Sequence, residues 1–112
     1  MRITGGRLRG RTVASPKGLK IRPTTDRVRE ALFSIIGQDL SGYQVLDLFA
    51  GCGVIGLEAL SRGADRTVFV DNSRTALQCI RRNLSMCGCE HQGILLRRDL
   101  SRGIAEHLPS WT

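Results

Sequence analysis

Three glycines and an acidic residue stand at spacings that suit the binding of a nucleoside. The glycines form the pattern G-x-G-x-x-G at positions 51, 53 and 56, directly after the apolar run VLDLF. Glycine lets the backbone approach a ligand with no Cβ between them. Asp71 ends the next apolar run, where a carboxylate can accept hydrogen bonds from ribose hydroxyls. The glycine pattern alone is a weak signal, but the order of strand, glycine turn, helix, strand and acid is more specific.

Two further acids bear on which cofactor this arrangement would hold. NAD carries a pyrophosphate, which needs helix N–H groups and no nearby negative charge. S-adenosylmethionine instead carries a sulfonium cation and an amino-acid group. Asp47 shortly precedes the glycine turn and Asp99 ends a third apolar run, so acids at three successive strand ends favour S-adenosylmethionine. Taken singly, each acid could equally cap the turn or helix that follows it.

The spacing of apolar residues predicts the elements that would position these groups. Strands are predicted over YQVLDLF, RTVFVD and GILLRRD, and helices after the glycine turn, over SRTALQCIRRNLSMCG and over SRGIAEHLP. Alternating strands and helices with short connections predict an α/β fold with a parallel, Rossmann-like sheet. An earlier helix is predicted over TDRVREALFSIIG. Its apolar residues share one face; they are Val28, Leu32, Ile35 and Ile36.

The positive charge is concentrated in the first quarter of the chain. The 112 residues carry a net charge of +7, yet residues 1–29 hold nine basic side chains and one acidic side chain. Most of the basic residues are arginine, which binds phosphate in a forked geometry and stacks on bases. Such a cluster indicates contact with nucleic acid, the alternative being a basic tail that only aids solubility. A basic β-hairpin or meander is predicted over MRITGGRLRGRTVASP, followed by the extended connector KGLKIRPTT.

Several classes of protein do not fit the composition. The sequence has no apolar run of about 18 residues and no secretory signal, so we expect no membrane contact and a cytoplasmic location. The four cysteines, Cys52, Cys79, Cys87 and Cys89, lack the spacing of a zinc site even with His91 nearby. We interpret them as reduced, mostly buried thiols, with no metal. Cys52 has no base near it in the sequence and is interpreted as a small side chain that fits the turn.

Longer stretches of the sequence resemble the RsmD family, bacterial methyltransferases that act on guanine N2 of 16S ribosomal RNA. The similar segments are RITGGRLRGRTVASP, RPTTDRVREALFSII, VLDLFAGCGVIGLEALSRGA and VFVD. The resemblance implies a Rossmann-like class I methyltransferase sheet of about three βα units, preceded by a basic hairpin and one helix. It also implies S-adenosylmethionine as cofactor and ribosomal RNA or a small-subunit assembly particle as partner. Residues 1–23 would then contact RNA, and residues 24–112 would be the N-terminal half of the methyltransferase domain.

The resemblance also implies roles for particular residues, none of them catalytic. Asp71 would hold the ribose, with Asn72 beside the adenine. The full set implied to bind the cofactor is Asp47, Ala50, Gly51, Gly53, Asp71, Asn72, Asp99 and Leu100. The arginine-rich hairpin and the RPTT connector would lie over the site and meet RNA. The residues implied to bind RNA are Arg2, Arg7, Arg9, Arg11, Lys17, Arg22 and Arg27.

The sequence departs from the family in one respect. Family members carry a D/N-P-P-Y/F motif after the fourth strand, where polar oxygens grip the amine to be methylated, but this sequence contains no Pro-Pro pair. In this fold the fourth strand normally pairs with the first, so VLDLF would become an apolar edge strand that invites a partner strand or a second copy. We therefore predict the cofactor-binding part of a larger enzyme, inactive alone. A nucleic-acid-binding module without catalysis and a fragment of an NAD-dependent oxidoreductase remain as alternatives.

Overall fold

Parallel strands alternate with helices in the computed structural model, which describes residues 1–15, 26–48 and 50–102. The elements in chain order are α1 (Asp26–Ile36), β1 (Gln44–Leu48), α2 (Val54–Ser61), β2 (Arg66–Asp71), α3 (Arg74–Met86) and β3 (Gly93–Arg97). Short 3-10 turns stand before and after β3. The predicted alternation is confirmed. The predicted connector after residue 15 and most of the last predicted helix lie outside the described residues.

The three strands form one parallel sheet in the order β1–β2–β3. Within the described part of the chain, β1 therefore lies at an edge of the sheet, as predicted. Asp47 pairs with Phe69, and Asp71 pairs with Arg97. Asp47 and Asp71 thus lie near the same end of the sheet, because parallel strands end at a common edge.

The core lies between the sheet and helices α2 and α3. A Cβ atom on Gly56 would come within 2.3 Å of the Phe69 ring, so only glycine lets α2 approach β2 this closely. Leu57, Leu60 and Ile80 are fully buried around this contact. Ser73 caps α3 by accepting a hydrogen bond from the Ala76 N–H group (3.2 Å), as its type and position predict.

Helix α1 buries a different face from the one that its apolar residues suggest. Residues Val28, Leu32, Ile35 and Ile36 share a face as predicted, but they are exposed, Ile35 by 82 %. The buried side chains of α1 are Arg29 and Phe33. Arg29 lies 3.5 Å from the buried carboxylate of Glu58 in α2, and this contact turns the mixed face inward. The apolar face is left toward solvent, beside the edge strand β1.

Residues 1–15, the N-terminal loop, form a short, irregular hairpin, as predicted. Arg2 and Thr12 make an antiparallel bridge, and further backbone hydrogen bonds cross the loop on both sides of it. Near its tip the loop binds α2: the Arg7 N–H group donates to the Ser61 carbonyl (2.9 Å), and the Leu8 N–H group donates to the Ser61 hydroxyl (2.9 Å). The hairpin is therefore fastened to α2.

Candidate cofactor site

Left-handed glycines shape the turn between β1 and α2. Gly51 and Gly53 have φ angles of 59° and 81°, values that residues with a Cβ atom rarely adopt. The Asp71 carboxylate accepts hydrogen bonds from the Gly51 N–H group (3.0 Å) and from the Ser73 N–H group (2.9 Å). Asp71 therefore fastens the glycine turn to the end of β2. Each of its oxygens can accept a further hydrogen bond, so the residue can still bind a ligand.

Asp47 lies beside the start of α2, and no basic side chain of the described residues pairs with it. Its Oδ2 atom accepts a hydrogen bond from the Gly56 N–H group (3.2 Å). Burial raises the pKa of Asp47 to about 6; the Gly56 bond opposes this rise, and repulsion from Asp71 adds to it. No group of the described residues donates to its Oδ1 atom. A cation placed beside such a carboxylate would relieve the cost of burying its charge.

The remaining predicted cofactor residues lie around one cavity at the ends of β2 and β3. Asp71, Asn72, Asp99 and Leu100 line this space, the cofactor cavity, which has a volume of about 270 Å³. Asp99 accepts a hydrogen bond from the Ser101 N–H group (2.9 Å), which shapes the turn after β3. The structure thus brings together the acids of β2 and β3, and the Gly51–Asp71 bond joins this cavity to the glycine turn.

Ala50 and Cys52 flank Gly51 and serve packing. The Ala50 N–H group donates to the Val70 carbonyl (3.0 Å), which continues the ladder between β1 and β2 beyond the last residue of β1. Cys52 is buried. Burial raises the pKa of its thiol, which disfavours the thiolate that a nucleophile would need.

Two of the predicted RNA-binding residues, Arg7 and Arg11, lie away from this site. Arg7 donates to the Gln92 side-chain carbonyl (3.2 Å), and Arg11 donates to the Met86 carbonyl (3.3 Å). Both arginines therefore lie at the C-terminal end of α3, whose 13 residues span roughly 20 Å. The cofactor cavity adjoins the other end of α3, so these two side chains do not lie over it. Of the remaining predicted set, Arg2, Arg9 and Arg27 are exposed, and Lys17 and Arg22 lie outside the described residues.

The last residues of the N-terminal loop return toward the glycine turn. The Ala14 N–H group donates to the Asn83 side-chain oxygen (2.9 Å), and the Asn83 amide donates to the Ala14 carbonyl (2.9 Å) and to the Cys52 carbonyl (3.1 Å). Asn83 is fully buried and thereby links the loop, the glycine turn and α3. Its role was not predicted, since an asparagine within an amphipathic helix has no distinguishing pattern around it.

A buried charge cluster in α2, also not predicted, holds the start of the loop. The Glu58 carboxylate accepts hydrogen bonds from the Thr4 N–H group (2.9 Å), the Thr4 hydroxyl (2.8 Å) and the Gly5 N–H group (3.0 Å). The Nε atoms of Arg62 and Arg29 lie 3.1 and 3.5 Å from it. Burial alone would raise the pKa of Glu58, but these hydrogen bonds lower it below its ordinary value. The one signal in the sequence is a Glu–Arg pair, four residues apart, inside an otherwise apolar helix.

Among residues 1–15, 26–48 and 50–102, no group of three or more Cys, His, Asp or Glu side chains could hold a metal ion. The cysteines are free and buried, and burial raises the pKa of the Cys79 and Cys87 thiols. No helix in these same ranges is long and apolar enough to cross a membrane.

The parallel sheet, the glycine turn and the acids at the strand ends define part of a Rossmann-like fold of the S-adenosylmethionine-dependent methyltransferase class. A solved structure described as a methyltransferase of this class from Thiobacillus denitrificans, in complex with S-adenosyl-L-homocysteine, shares this fold. It superposes with a TM-score of 0.63 at 19 % identity, covering 76 % of this chain and 34 % of that one. The family model described as conserved hypothetical protein 95 matches residues 1–108. The chain belongs to this family, the RsmD family.

Two relatives have a higher sequence identity to this chain. Ribosomal RNA small subunit methyltransferase D of Escherichia coli (strain K12) is 45 % identical over 85 residues, which cover 76 % of this chain and 43 % of that protein. The solved structure of a hypothetical protein from Thermus thermophilus is 30 % identical with a TM-score of 0.76, covering 89 % of this chain and 56 % of that one. The chain spans about half the length of the relatives it matches.

Proposed function

We propose that the chain is the cofactor-binding part of an S-adenosylmethionine-dependent methyltransferase that acts in the cytoplasm on guanine N2 of 16S ribosomal RNA. The observation that supports this cofactor is the environment of Asp47. It is a half-buried carboxylate with a raised pKa and one oxygen that accepts no hydrogen bond from the described residues. The positive charge of S-adenosylmethionine would stabilise its ionised form. The name of the Escherichia coli relative supports ribosomal RNA as the substrate.

The other site residues would each contact a different part of the cofactor. Asp71 would accept hydrogen bonds from the ribose hydroxyls, while Asn72, Asp99 and Leu100 would contact the adenine in the cavity that they line. Gly51 and Gly53, with Ala50, would leave room for the amino-acid end. The bound cofactor supplies an activated methyl group, and the residues of this chain bind and orient it.

Transfer to guanine would depend on positioning, because an in-line displacement needs the amine aligned with the methyl group. The target base would be extruded from its stack to reach the site. The D/N-P-P-Y/F motif that grips the amine in the family is absent from these 112 residues. We therefore expect this polypeptide alone to bind the cofactor without transferring its methyl group.

NAD fits this turn less well. In dinucleotide-binding proteins the pyrophosphate is held by N–H groups at the start of the helix that follows the glycine turn. Here the Gly56 N–H group in the first turn of α2 donates to Asp47. A pyrophosphate would meet both an occupied donor and a half-buried negative charge, so the geometry favours a cationic cofactor.

Calorimetric titration with S-adenosylmethionine tests the proposal. We expect the wild-type chain to bind, and the variant Asp71→Ala to bind at least about tenfold more weakly, because hydrogen bonds to a charged group contribute roughly 1.5–3 kcal/mol. The matched control is Asp65→Ala, since Asp65 is an exposed acid before β2, at the opposite end of the sheet. A folded wild-type chain that binds no S-adenosylmethionine would refute the cofactor, and NADH fluorescence would then test the oxidoreductase alternative.

Nucleic-acid binding without a cofactor is the second candidate, because the first quarter of the chain carries most of the positive charge. It predicts salt-dependent RNA affinity together with no heat of S-adenosylmethionine binding. Charge reversal at Arg7, Arg9 and Arg11 should lower that salt dependence. If the triple variant kept the wild-type salt dependence, these arginines would not be part of the RNA contact.

The edge of the sheet would receive a further strand. The apolar residues Leu32, Ile36, Tyr43 and Val45 line a groove between α1 and the β1 edge. Because the relatives are about twice as long, we propose that a strand of the rest of the methyltransferase domain covers this edge. A second copy is the alternative, and sedimentation of the chain over a range of concentrations would distinguish self-pairing from a monomer.

A further inference from the structure

Arginines outside the predicted RNA-binding set are exposed on and beside α3. Arg74, Arg81 and Arg82 lie on the helix, Arg97 ends β3 and Arg98 follows it; these residues are called the α3 track. Three of them line a single groove of about 380 Å³ between α3 and β3: Arg74, Arg81 and Arg97. Leu77, Gln78 and Leu95 complete the lining. The groove therefore combines several guanidinium groups with apolar surface.

The positive charges of these arginines do not stabilise the helix. Helix α3 contains no acidic residue, so no Glu or Asp of the helix itself can pair with its arginines. Arg74 occupies the first position of α3, where the positive end of the helix dipole disfavours a cation. Within the described part of the chain, Arg74, Arg81 and Arg82 make no ion pair. Mutual repulsion and the dipole lower helix stability, so a negatively charged partner would compensate them.

The α3 track connects the two regions that the proposed function needs. A second groove, of about 440 Å³, runs between the N-terminal loop and α3, and Ser15, Thr75, Gln78 and Arg82 are among its lining residues. Gln78 lines both grooves. At the near end of α3, Arg98 lines the cofactor cavity. At the far end, Arg11 binds the Met86 carbonyl, so positive charge follows the whole length of the helix.

We infer that the α3 track binds the sugar–phosphate backbone of the RNA substrate. The bound RNA would extend along α3 from the N-terminal arginines to the cofactor cavity. The inference rests on the proposed function for the identity of the substrate. Guanidinium groups fork onto phosphates, and a charged groove with apolar lining suits a nucleic-acid strand whose sugars and bases need contact as well. The exposed large apolar residue beside the track is Met86, which is too little for membrane insertion.

Fluorescence anisotropy with a labelled RNA stem-loop tests the α3 track over a range of salt concentrations. The test variant combines Arg74→Gln, Arg81→Gln and Arg82→Gln, and the matched control combines Arg→Lys at the same positions. We expect the glutamine variant to lower the slope of log K against log salt by about two and to weaken binding at least about tenfold at low salt. The lysine variant should keep the wild-type slope. Both should keep the wild-type affinity for S-adenosylmethionine, and neither should melt below the wild-type temperature, since the glutamine variant removes only repulsive charges from the helix.

The possible outcomes separate the α3 track from the proposed function. An unchanged slope in the glutamine variant, with S-adenosylmethionine still bound, would overturn the track and leave the cofactor site intact. A wild-type chain that binds the cofactor but shows no salt-dependent RNA affinity would overturn the track and the RNA substrate together. Competition by polyglutamate as strong as that by unlabelled RNA would also overturn it, because the partner would then be an acidic protein.

Discussion

Half-buried Asp47 and buried Glu58 both accept hydrogen bonds from backbone N–H groups, but their surroundings differ. The Glu58 carboxylate accepts hydrogen bonds from Thr4 and Gly5. Arg62 and Arg29 lie beside it, and its pKa is lowered. Asp47 binds Gly56, its charged neighbour is Asp71, and its pKa is raised to about 6. The Glu58 carboxylate is paired within the protein, and its cluster holds the N-terminal loop. At the glycine turn, no basic side chain of the described residues pairs with Asp47, and a cationic ligand could balance its charge.

The largest expected effect comes from breaking the cluster around Glu58. We expect Glu58→Gln to lower the free energy of unfolding by about 3–5 kcal/mol, because it removes the buried carboxylate that lies beside the guanidinium groups of Arg29 and Arg62. Urea unfolding at pH 7 measures this change. The control is Glu30→Gln, a substitution of an exposed glutamate in α1, which should change stability by less than about 0.5 kcal/mol. Equal losses in the two variants would mean that Glu58 has no special role.

At Asp47 we expect a neutral substitution to raise the free energy of unfolding instead of lowering it. Its pKa is about 6 in the folded protein against an ordinary value of 3.8, a difference that corresponds to roughly 3 kcal/mol. The folded state therefore binds the proton more tightly, and the stability that this group contributes is lost as pH rises from about 4 to 6. We expect Asp47→Asn to stabilise the ligand-free protein at pH 8 by up to about 3 kcal/mol and to lose this advantage below about pH 4.

Thermal unfolding of the wild-type chain and Asp47→Asn at several pH values measures that difference. Glu58 provides the contrast, since its lowered pKa contributes stability that is present above about pH 4.5 and is lost as the pH falls through the folded value. An Asp47→Asn variant that is less stable than the wild type at pH 8 would contradict the interpretation that Asp47 lacks a basic partner.

The affinity for S-adenosylmethionine should follow the ionisation of Asp47. If the ionised form binds the cofactor, the affinity should fall by about tenfold for each pH unit below 6. Calorimetry between pH 5 and 8 measures this profile, and Asp47→Asn should bind weakly with a flat profile over the same range. A wild-type affinity that is constant between pH 5 and 8 would exclude Asp47 from contact with the positive charge of the ligand.

A smaller change in stability is expected from the loss of hydrogen bonds between uncharged groups that hold the N-terminal loop. The Ser61 hydroxyl accepts a hydrogen bond from the Leu8 N–H group and donates one to the Gly5 carbonyl. Ser61→Ala should therefore cost about 1–2 kcal/mol and speed hydrogen exchange at Leu8. Ser34→Ala is the control, because the Ser34 hydroxyl binds a carbonyl on the exposed side of α1. Unchanged exchange at Leu8 would show that the Ser61 hydroxyl does not hold this part of the loop.

The elements, and the placement of acids at one end of the sheet, were predictable because they depend on local patterns. RTVFVD was predicted as a strand and is β2, Arg66–Asp71, since a short run of β-branched and aromatic residues favours extended structure. Asp71 was predicted beside the glycine turn, because parallel strands end at a common edge. The buried face of α1 was not predictable in this way. Its apolar pattern indicates one face, whereas the contact between Arg29 and Glu58 turns another face inward.

The sequence by itself determined the order of the strands and helices, the glycine turn and the presence of acids at the strand ends, since each follows from neighbouring residues. Only the tertiary structure decided which carboxylate is balanced and which is not. Thr4 and Glu58 are separated by 54 positions in the chain, and no local pattern relates them. Electrostatic balance depends on distances through space, which the fold sets when it brings Arg29 and Arg62 to Glu58 and leaves Asp47 beside Asp71.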